Sequence, residues 1–345
     1  MTISQAVNSK VTSLTSLEER LQIQRLVEAT KVVTSTAGRD VVKGLTHNPK
    51  YLPPYYLYDD RGSDLFEQIC DLPEYYVTRT ETAILQQYAD EIAQITGACE
   101  LVELGSGSST KTRILLDAYQ KLGGLQCYLP IDISAGMLEN SARKLLQEYP
   151  SLQVYALAGT YEMALAQLPP KQSPSRMIGF IGSSLGNMTT QECDAFFSQI
   201  TNALQVGEYF LLGVDLQKPK EILEPAYNDR QGVTAAFNIN MLEHLNRRFE
   251  GNFDTTQFEH WAFYNETAHQ IEIHLRSMRS QTVQLKSLNL TVNFAPGETI
   301  LTEISRKFNL NTIKQQLQSR GLVPVQTWTD TNQWFGLLLC QFQSA

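Results

Sequence analysis

Hydrophobic and polar positions follow two rhythms along this chain. Between Glu81 and Asp215, short apolar runs alternate with stretches whose apolar residues recur at helical spacing. "CELVELG", "LQCYLPIDIS", "LQVYALAG", "RMIGFIGSSLG" and "EYFLLGVDL" read as buried strands. "TETAILQQYADEIAQITG", "TKTRILLDAYQKLG", "AGMLENSARKLLQEYP", "YEMALAQL" and "TQECDAFFSQITNAL" read as helices, the first closing at Gly97. Strands that alternate with helices predict an α/β fold, a doubly wound parallel sheet covered on both faces.

The second rhythm starts after Asp215. Residues 219–300 mix a helical stretch, "AAFNINMLEHLNRRF", with alternating strands, "HQIEIHLRS", "QTVQLKS" and "LTVNF". This predicts an α+β insertion. The end returns to the first rhythm. "NTIKQQLQSRG" reads as a helix with Asn311 as its cap and Gly321 as its stop, and "FGLLLCQF" as a last buried strand. The first 45 residues look helical, notably "LEERLQIQRLVEATKVV". A segment rich in Pro, Tyr and Asp follows them, with a short helix expected at Ser63–Cys70, capped by Ser63 or Asp64. That segment holds six tyrosines and few aliphatics, so it suits a site wall better than a core. The expected division is a smaller substrate-binding module from residues 20–80 and 216–304, and a larger module from 81–215 and 305–345.

Composition narrows the class. Apolar residues at 42% and charged residues at 19% fit a soluble globular protein. A net charge of −8 argues against non-specific binding of nucleic acid or anionic lipid. There is no signal-peptide pattern, and the apolar runs are strand-sized, so no membrane partner and a cytoplasmic location are expected. Five scattered cysteines without CxxC spacing suggest buried thiols, and the five histidines have no metal spacing, so no metal is expected. Nothing along the chain sets an oligomeric state; a monomer is the expectation.

Candidate chemistry begins at "VELGSGSSTKTRILLDA", a strand, a glycine turn and a helix. Gly105 and Gly107 permit positive φ and close approach of a ligand to the backbone. The third glycine of GxGxxG is absent and no GKS or GKT follows, which weakens a dinucleotide or P-loop assignment. The turn also suits S-adenosylmethionine, whose ribose hydroxyls want an acid at the end of the next strand. Asp132 in "YLPIDIS" stands there, 27 residues after Gly105. Glu103, ahead of the turn, fits the same class. A strand–turn–helix with no ligand is the plain alternative.

"YLYDDRGSDLFEQICDLPEYYVTRTE", "LVELGSGSSTKT", "IGSSLGNM", "AYNDRQGVTAAFNINML" and "TEISRKF" together resemble the S-adenosylmethionine-dependent histidine Nα-methyltransferases of ergothioneine biosynthesis, in register from about Lys43 to the end. The resemblance implies a class I methyltransferase (Rossmann-like) domain with a smaller α+β substrate-binding domain. It implies three successive methylations of L-histidine to hercynine, with S-adenosylmethionine as donor and no metal. It also implies residue roles. Tyr58 would lie beside cofactor and substrate amine, and Tyr75 near the amino-acid end. Asn187 would hold the amino and carboxylate groups, and Tyr227 the carboxylate. Glu303 and Ser305 would grip the imidazole. Gly105 and Asp132 match the cofactor turn and the ribose acid, and Lys111 lies near the cofactor's carboxylate. One departure stands out: Gly159-Thr160-Tyr161 replaces the family's Gly-Asp-Phe, whose acid contacts adenine. Thr160 offers one hydrogen bond in its place. Ile273 stands where a methionine is usual.

The residues themselves suit that chemistry. Methyl transfer from a sulfonium needs an unprotonated amine held in line, and positioning is the protein's main task. Tyrosine hydroxyls and an amide can hold an amine that must turn between transfers; Tyr58 and Asn187 take that role. If "ILTEISRKF" is extended, Glu303 and Ser305 share one face, with Ile300, Thr302 and Ile304 opposite. A carboxylate and a hydroxyl on one face can meet the two ring nitrogens. Methylation of tryptophan or tyrosine is the alternative within the fold, and a non-catalytic cofactor-binding protein the alternative outside enzymes. A dehydrogenase fits least.

Overall fold

The computed structural model describes residues 17–26, 38–123 and 127–344. The strands, in chain order, are β1 (Leu21–Arg25), β2 (Lys50–Tyr51), β3 (Cys99–Leu104), β4 (Cys127–Asp132), β5 (Gln153–Ala158), β6 (Ser175–Phe180) and β7 (Tyr209–Asp215). They continue with β8 (Phe258–Asn265), β9 (Gln270–Ser277), β10 (Gln281–Leu285), β11 (Leu290–Phe294), β12 (Thr299–Arg306), β13 (Leu322–Thr329) and β14 (Phe335–Phe342).

Eight strands form one sheet in the order β1-β5-β4-β3-β6-β7-β14-β13. Pairing is parallel from β1 to β7 and antiparallel at β14 and β13. β3 is buried at all six positions, as a central parallel strand requires, with its two glutamates paired, Glu100 to Arg176 and Glu103 to Thr112 and Tyr128. Helices Tyr76–Thr96, Thr110–Lys121, Ala135–Glu148 and Thr190–Ala203 cover the sheet. Gly97 closes the first of these at φ +62°, and a Thr189–Glu192 capping box starts the last. Strand order reverses between β3 and β6, so a crevice opens beyond their carboxyl ends.

A second sheet has the order β2-β12-β9-β8, beside the hairpin β10-β11. Its core is continuous with that of one face of the large sheet. The two sheets meet beyond β7 and β12. There Leu216 bridges Phe308 in parallel fashion, and the Phe308 amide donates to the Asp215 carbonyl at 2.8 Å.

Several local expectations are corrected. Of the first 45 residues, expected to be helical, Leu17–Arg20 and the helix Arg39–Thr46 are so among those described, whereas Leu21–Arg25, expected in the smaller module, is a strand paired with β5 of the large sheet. Local periodicity could not supply that long-range partner. The rest of "LEERLQIQRLVEATKVV", residues 27–33, lies outside the described residues. The helix expected at Ser63–Cys70 begins at Asp60 and is capped by Asp59, whose carboxylate accepts from the Gly62 amide at 2.8 Å. The helix expected to start at Asn311 is Leu310–Gln318, capped by Asn309. Ser305 belongs to β12 of the small sheet, although the larger module was expected to begin there.

One glycine of β7 marks a close approach. A Cβ on Gly213 would stand 2.1 Å from Glu81 Oε1 and 3.2 Å from the Phe335 ring. Both neighbours are fully buried. Gly213→Ala is therefore expected to destabilise the fold by about 1–3 kcal/mol in denaturant titration; an unchanged midpoint would mean that Glu81 moves freely.

Candidate active site

The turn after β3 is built as its glycines predicted. Gly105 and Gly107 have φ of +73° and +49°. The Gly105 amide bonds back to the Ile131 carbonyl at 2.8 Å, which folds the turn over the end of β4. Asp132 ends that strand. Its two carboxylate oxygens accept from the Gly107 amide at 3.0 Å and the Ser134 amide at 2.9 Å. Burial raises its pKa against those bonds. A Cβ on Gly105 would lie 2.8 Å from the Tyr161 hydroxyl, so Tyr161 overhangs the turn, its ring set edge-on against Phe180. The Ser106 hydroxyl is buried without a partner. Narrow backbone, an acid across the turn and an unmatched hydroxyl together fit a ribose and amino-acid ligand.

The other candidate cofactor residues also make structural bonds. Thr160 is exposed and caps the helix Tyr161–Ala166, accepting from the Met163 amide at 3.4 Å. Lys111 bonds Glu81 at 2.5 Å, and the same buried carboxylate accepts from the Gly182 amide at 2.8 and 2.9 Å. Glu81 thus ties the helix after β3 to the turn after β6. Glu103 lies under the glycine turn, taking hydrogen bonds from Thr112 and Tyr128, both at 2.5 Å. Burial lifts its pKa to about 7. It braces the turn.

A second cleft lies against the small sheet. Leu57, Phe66, Tyr75, Tyr227, Phe237, Ile273 and Glu303 line it. Tyr58 packs its ring edge-on against Phe66 and Phe237 at 5.7 and 5.5 Å, and Tyr75 meets Tyr227 at 6.0 Å. Asn187 ends a short 3₁₀ turn after β6 and donates its amide to Glu303 Oε1 at 2.8 Å. That bond joins the large sheet's crevice to the small sheet. Tyr58 also lies close enough to favour the Glu303 charge. Even so, burial outweighs these contacts and Lys307's charge, and the Glu303 pKa stands at about 7.

Glu303 and Ser305 do share a face, but the alternation along the strand is not regular. The pairing of β12 with β9 slips between Leu301 and Glu303, which leaves Thr302 as the extra residue of a bulge. Ile300 pairs with Leu275, Glu303 with Ile273 and Ser305 with Ile271, so Ile300 lies on the face of Glu303 and not opposite it. Thr302 turns its hydroxyl to Asn238 at 2.7 Å.

Three contributors were missed in the sequence. Phe66 and Phe237 supply aromatic walls, yet each is one apolar position on an amphipathic helix. Lys307 is fully buried and bonds Asp215, Tyr227 and Ser305, each at 2.8 Å. Continuing the period of two from Glu303 and Ser305 would have reached it. Asp215, at the end of β7, also accepts from Tyr76 at 2.7 Å and Lys218 at 2.5 Å. Its two ammonium neighbours hold its pKa low despite burial. Among the described residues, no cluster of His, Cys, Asp and Glu could hold a metal, and no helix is long and apolar enough to cross a membrane.

Comparison with known proteins gives the family. The family model described as histidine-specific methyltransferase, SAM-dependent, matches residues 37–342. A histidine N-alpha-methyltransferase of Mycolicibacterium smegmatis is 44% identical over 301 residues, spanning 87% of this chain and 93% of the relative. Its namesake in Mycobacterium tuberculosis is 42% identical with the same coverage. Ergothioneine biosynthesis protein 1 of Schizosaccharomyces pombe is 29% identical over 290 residues, 81% of this chain but 37% of that longer protein.

The raised pKa of Glu303 makes a stability prediction. Folding holds a proton that the unfolded chain, with an ordinary carboxyl near 4.5, has already released. Stability therefore falls as pH rises from about 4.5 to 7. Glu303→Gln should be more stable than the natural chain by about 1–3 kcal/mol at pH 8 and equal to it near pH 4.5. Melting curves at the two values check this, and an equal difference at both would contradict it.

Proposed function

The chain belongs to the histidine-specific, S-adenosylmethionine-dependent methyltransferases, and we propose that it moves three methyl groups in succession to the α-amino nitrogen of L-histidine, giving hercynine for ergothioneine biosynthesis. The observation that carries this is the Asn187–Glu303 hydrogen bond at 2.8 Å. It links the carboxylate assigned to the ring with the amide assigned to the amine, and so supports a single binding site.

S-Adenosylmethionine, when bound, supplies an electrophilic methyl carbon on a sulfonium. The turn at Gly105 and Gly107 would hold it, with Asp132 toward its ribose, Tyr161 over the turn and Tyr58 at the border with the second cleft. Thr160, engaged as a helix cap, can add one hydroxyl contact near the adenine side. Lys111 keeps two ammonium protons beyond its bond to Glu81, enough for a carboxylate.

The remaining residues position the amino acid. Asn187 gives one amide proton to Glu303 and keeps its oxygen as an acceptor for the substrate amine. Tyr58 offers a hydroxyl to that amine and an aromatic face to the ammonium it becomes. With Phe66, Tyr75 and Phe237 it forms a largely apolar box, which favours the uncharged amine before the first transfer and tolerates added methyl bulk after it. Tyr227 serves the substrate carboxylate. Glu303 and Ser305 take the ring. A site that hydrogen-bonds both ring nitrogens leaves its own groups unpaired with tryptophan or tyrosine, which disfavours them.

Mass spectrometry after incubation with methyl-labelled cofactor and the twenty amino acids should find three labels on histidine. Preferred labelling of another amino acid would overturn the substrate. Glu303→Ala should weaken histidine binding at least about tenfold in calorimetry and leave S-adenosylhomocysteine within twofold; unchanged histidine affinity would remove Glu303 from the ring site.

A further inference from the structure

Glu81 is a buried carboxylate with no part in the methyl transfer itself. It belongs to the helix Tyr76–Thr96 and is wholly shielded from solvent. Both its oxygens accept from the Gly182 amide beyond β6, at 2.9 and 2.8 Å, and Oε2 also accepts from the Lys111 ammonium at 2.5 Å. Lys111 comes from the other side of the crevice, in the helix that follows the glycine turn of β3. Its nitrogen lies 3.3 Å from the place that a Cβ on Gly182 would take, and its side chain keeps 20% exposure. Strand β7 makes room for the carboxylate, since a Cβ on Gly213 would stand 2.1 Å from Oε1. An ammonium has three protons. Glu81 takes one, and no acceptor among the described residues takes the other two. A lysine so far from water is costly to charge unless a counter-charge is fixed beside it. Glu81 is that counter-charge, and a backbone amide fixes its direction.

Resting on the assignment of the glycine turn to S-adenosylmethionine, we propose that Glu81 is a positioning residue: it holds the Lys111 ammonium against the turn at Gly182, so that the two open protons meet the carboxylate of the cosubstrate's amino-acid portion. Two groups besides Glu81 face Lys111, Glu103 from β3 and the Cys70 thiol from the helix Asp60–Cys70, and both act through charge alone. Burial lowers the Lys111 pKa, but the charge and hydrogen bond of Glu81 raise it more, with smaller help from Cys70 and Glu103. Lys111 therefore stays an ammonium above its ordinary range. With Glu81 uncharged, burial is opposed only by the two weaker neighbours, and the proton is lost at lower pH.

Calorimetry with S-adenosylhomocysteine and its decarboxylated analogue, at about pH 6.5 and about pH 9, tests this. The two ligands differ only in the carboxylate, so the ratio of their affinities isolates it. The natural protein should prefer S-adenosylhomocysteine at least about tenfold, with a ratio constant to about twofold between the two pH values. Glu81→Gln keeps the shape and one acceptor oxygen but not the charge. Its ratio should fall at least about threefold from the lower pH to the higher, as Lys111 gives up its proton. Glu103, with a pKa of about 7, titrates in both chains, so comparing them cancels it. Equal weakening of both ligands in the variant, or a ratio that does not move with pH, would refute the role and leave Glu81 a brace of the fold. Equal affinities in the natural protein would overturn the proposal and leave the cofactor site standing. No binding of either ligand would overturn both. Should Glu81→Gln not fold, Lys111→Met still tests the contact: the preference should shrink to within about twofold, and an undiminished preference would refute it.

Discussion

The contact between Asp215 and Lys307 is where the two sheets become one molecule. The carboxylate ends β7 of the large sheet, and the ammonium follows β12 of the small one. Both side chains are fully buried. An isolated buried charge is costly, and a buried pair is tolerable only when every donor and acceptor around it is matched. Here the match is complete on the lysine: its three protons have three oxygens. The backbone reinforces it through the Phe308–Asp215 hydrogen bond. Two of the three oxygens belong to the proposed substrate cleft, so the joint that orders the sheets also orders the site.

Around that joint the cleft divides its labour by polarity. The glycine turn and Asp132 offer backbone amides and a carboxylate suited to a polar cosubstrate. The aromatic walls surround the amine with apolar surface and offer a π-face to the ammonium it becomes. Glu303 stands between these regions under strain of a chemical kind: too buried for its charge, and only partly compensated by Tyr58, Asn187 and Lys307. A ring N–H would supply the donor it lacks. Substrate-free instability at one carboxylate is the ordinary consequence of a site organised for a ligand.

Much of this was legible in the chain, and the unread parts share a cause. The parallel core from β3 to β7 could be read because its strands are largely apolar runs between helices. The turn at Gly105 and the acid at Asp132 could be read because fixed spacing along one βαβ unit sets their positions. The polar pair on β12 could be read from its period of two, but not the bulge at Thr302, since a slipped pairing depends on β9 and not on local sequence. The same limit hid the pairing of Leu21–Arg25 with β5 and the bond from Glu81 to Gly182, 101 residues apart. Caps were misplaced by a few residues because Asp59 and Asn309 compete with equally good capping neighbours. The resemblance supplied the roles of Tyr58, Tyr75 and Asn187, which no periodicity would have singled out.

A crystal structure of the protein with S-adenosylhomocysteine and L-histidine tests the central claim most directly. The account predicts the imidazole between Glu303 and Ser305 and the carboxylate at Tyr227, with the α-amine between Tyr58 and Asn187, facing the turn at Gly105. An amino acid bound with its ring outside that cleft, or with its amine turned away from the glycine turn, would contradict it.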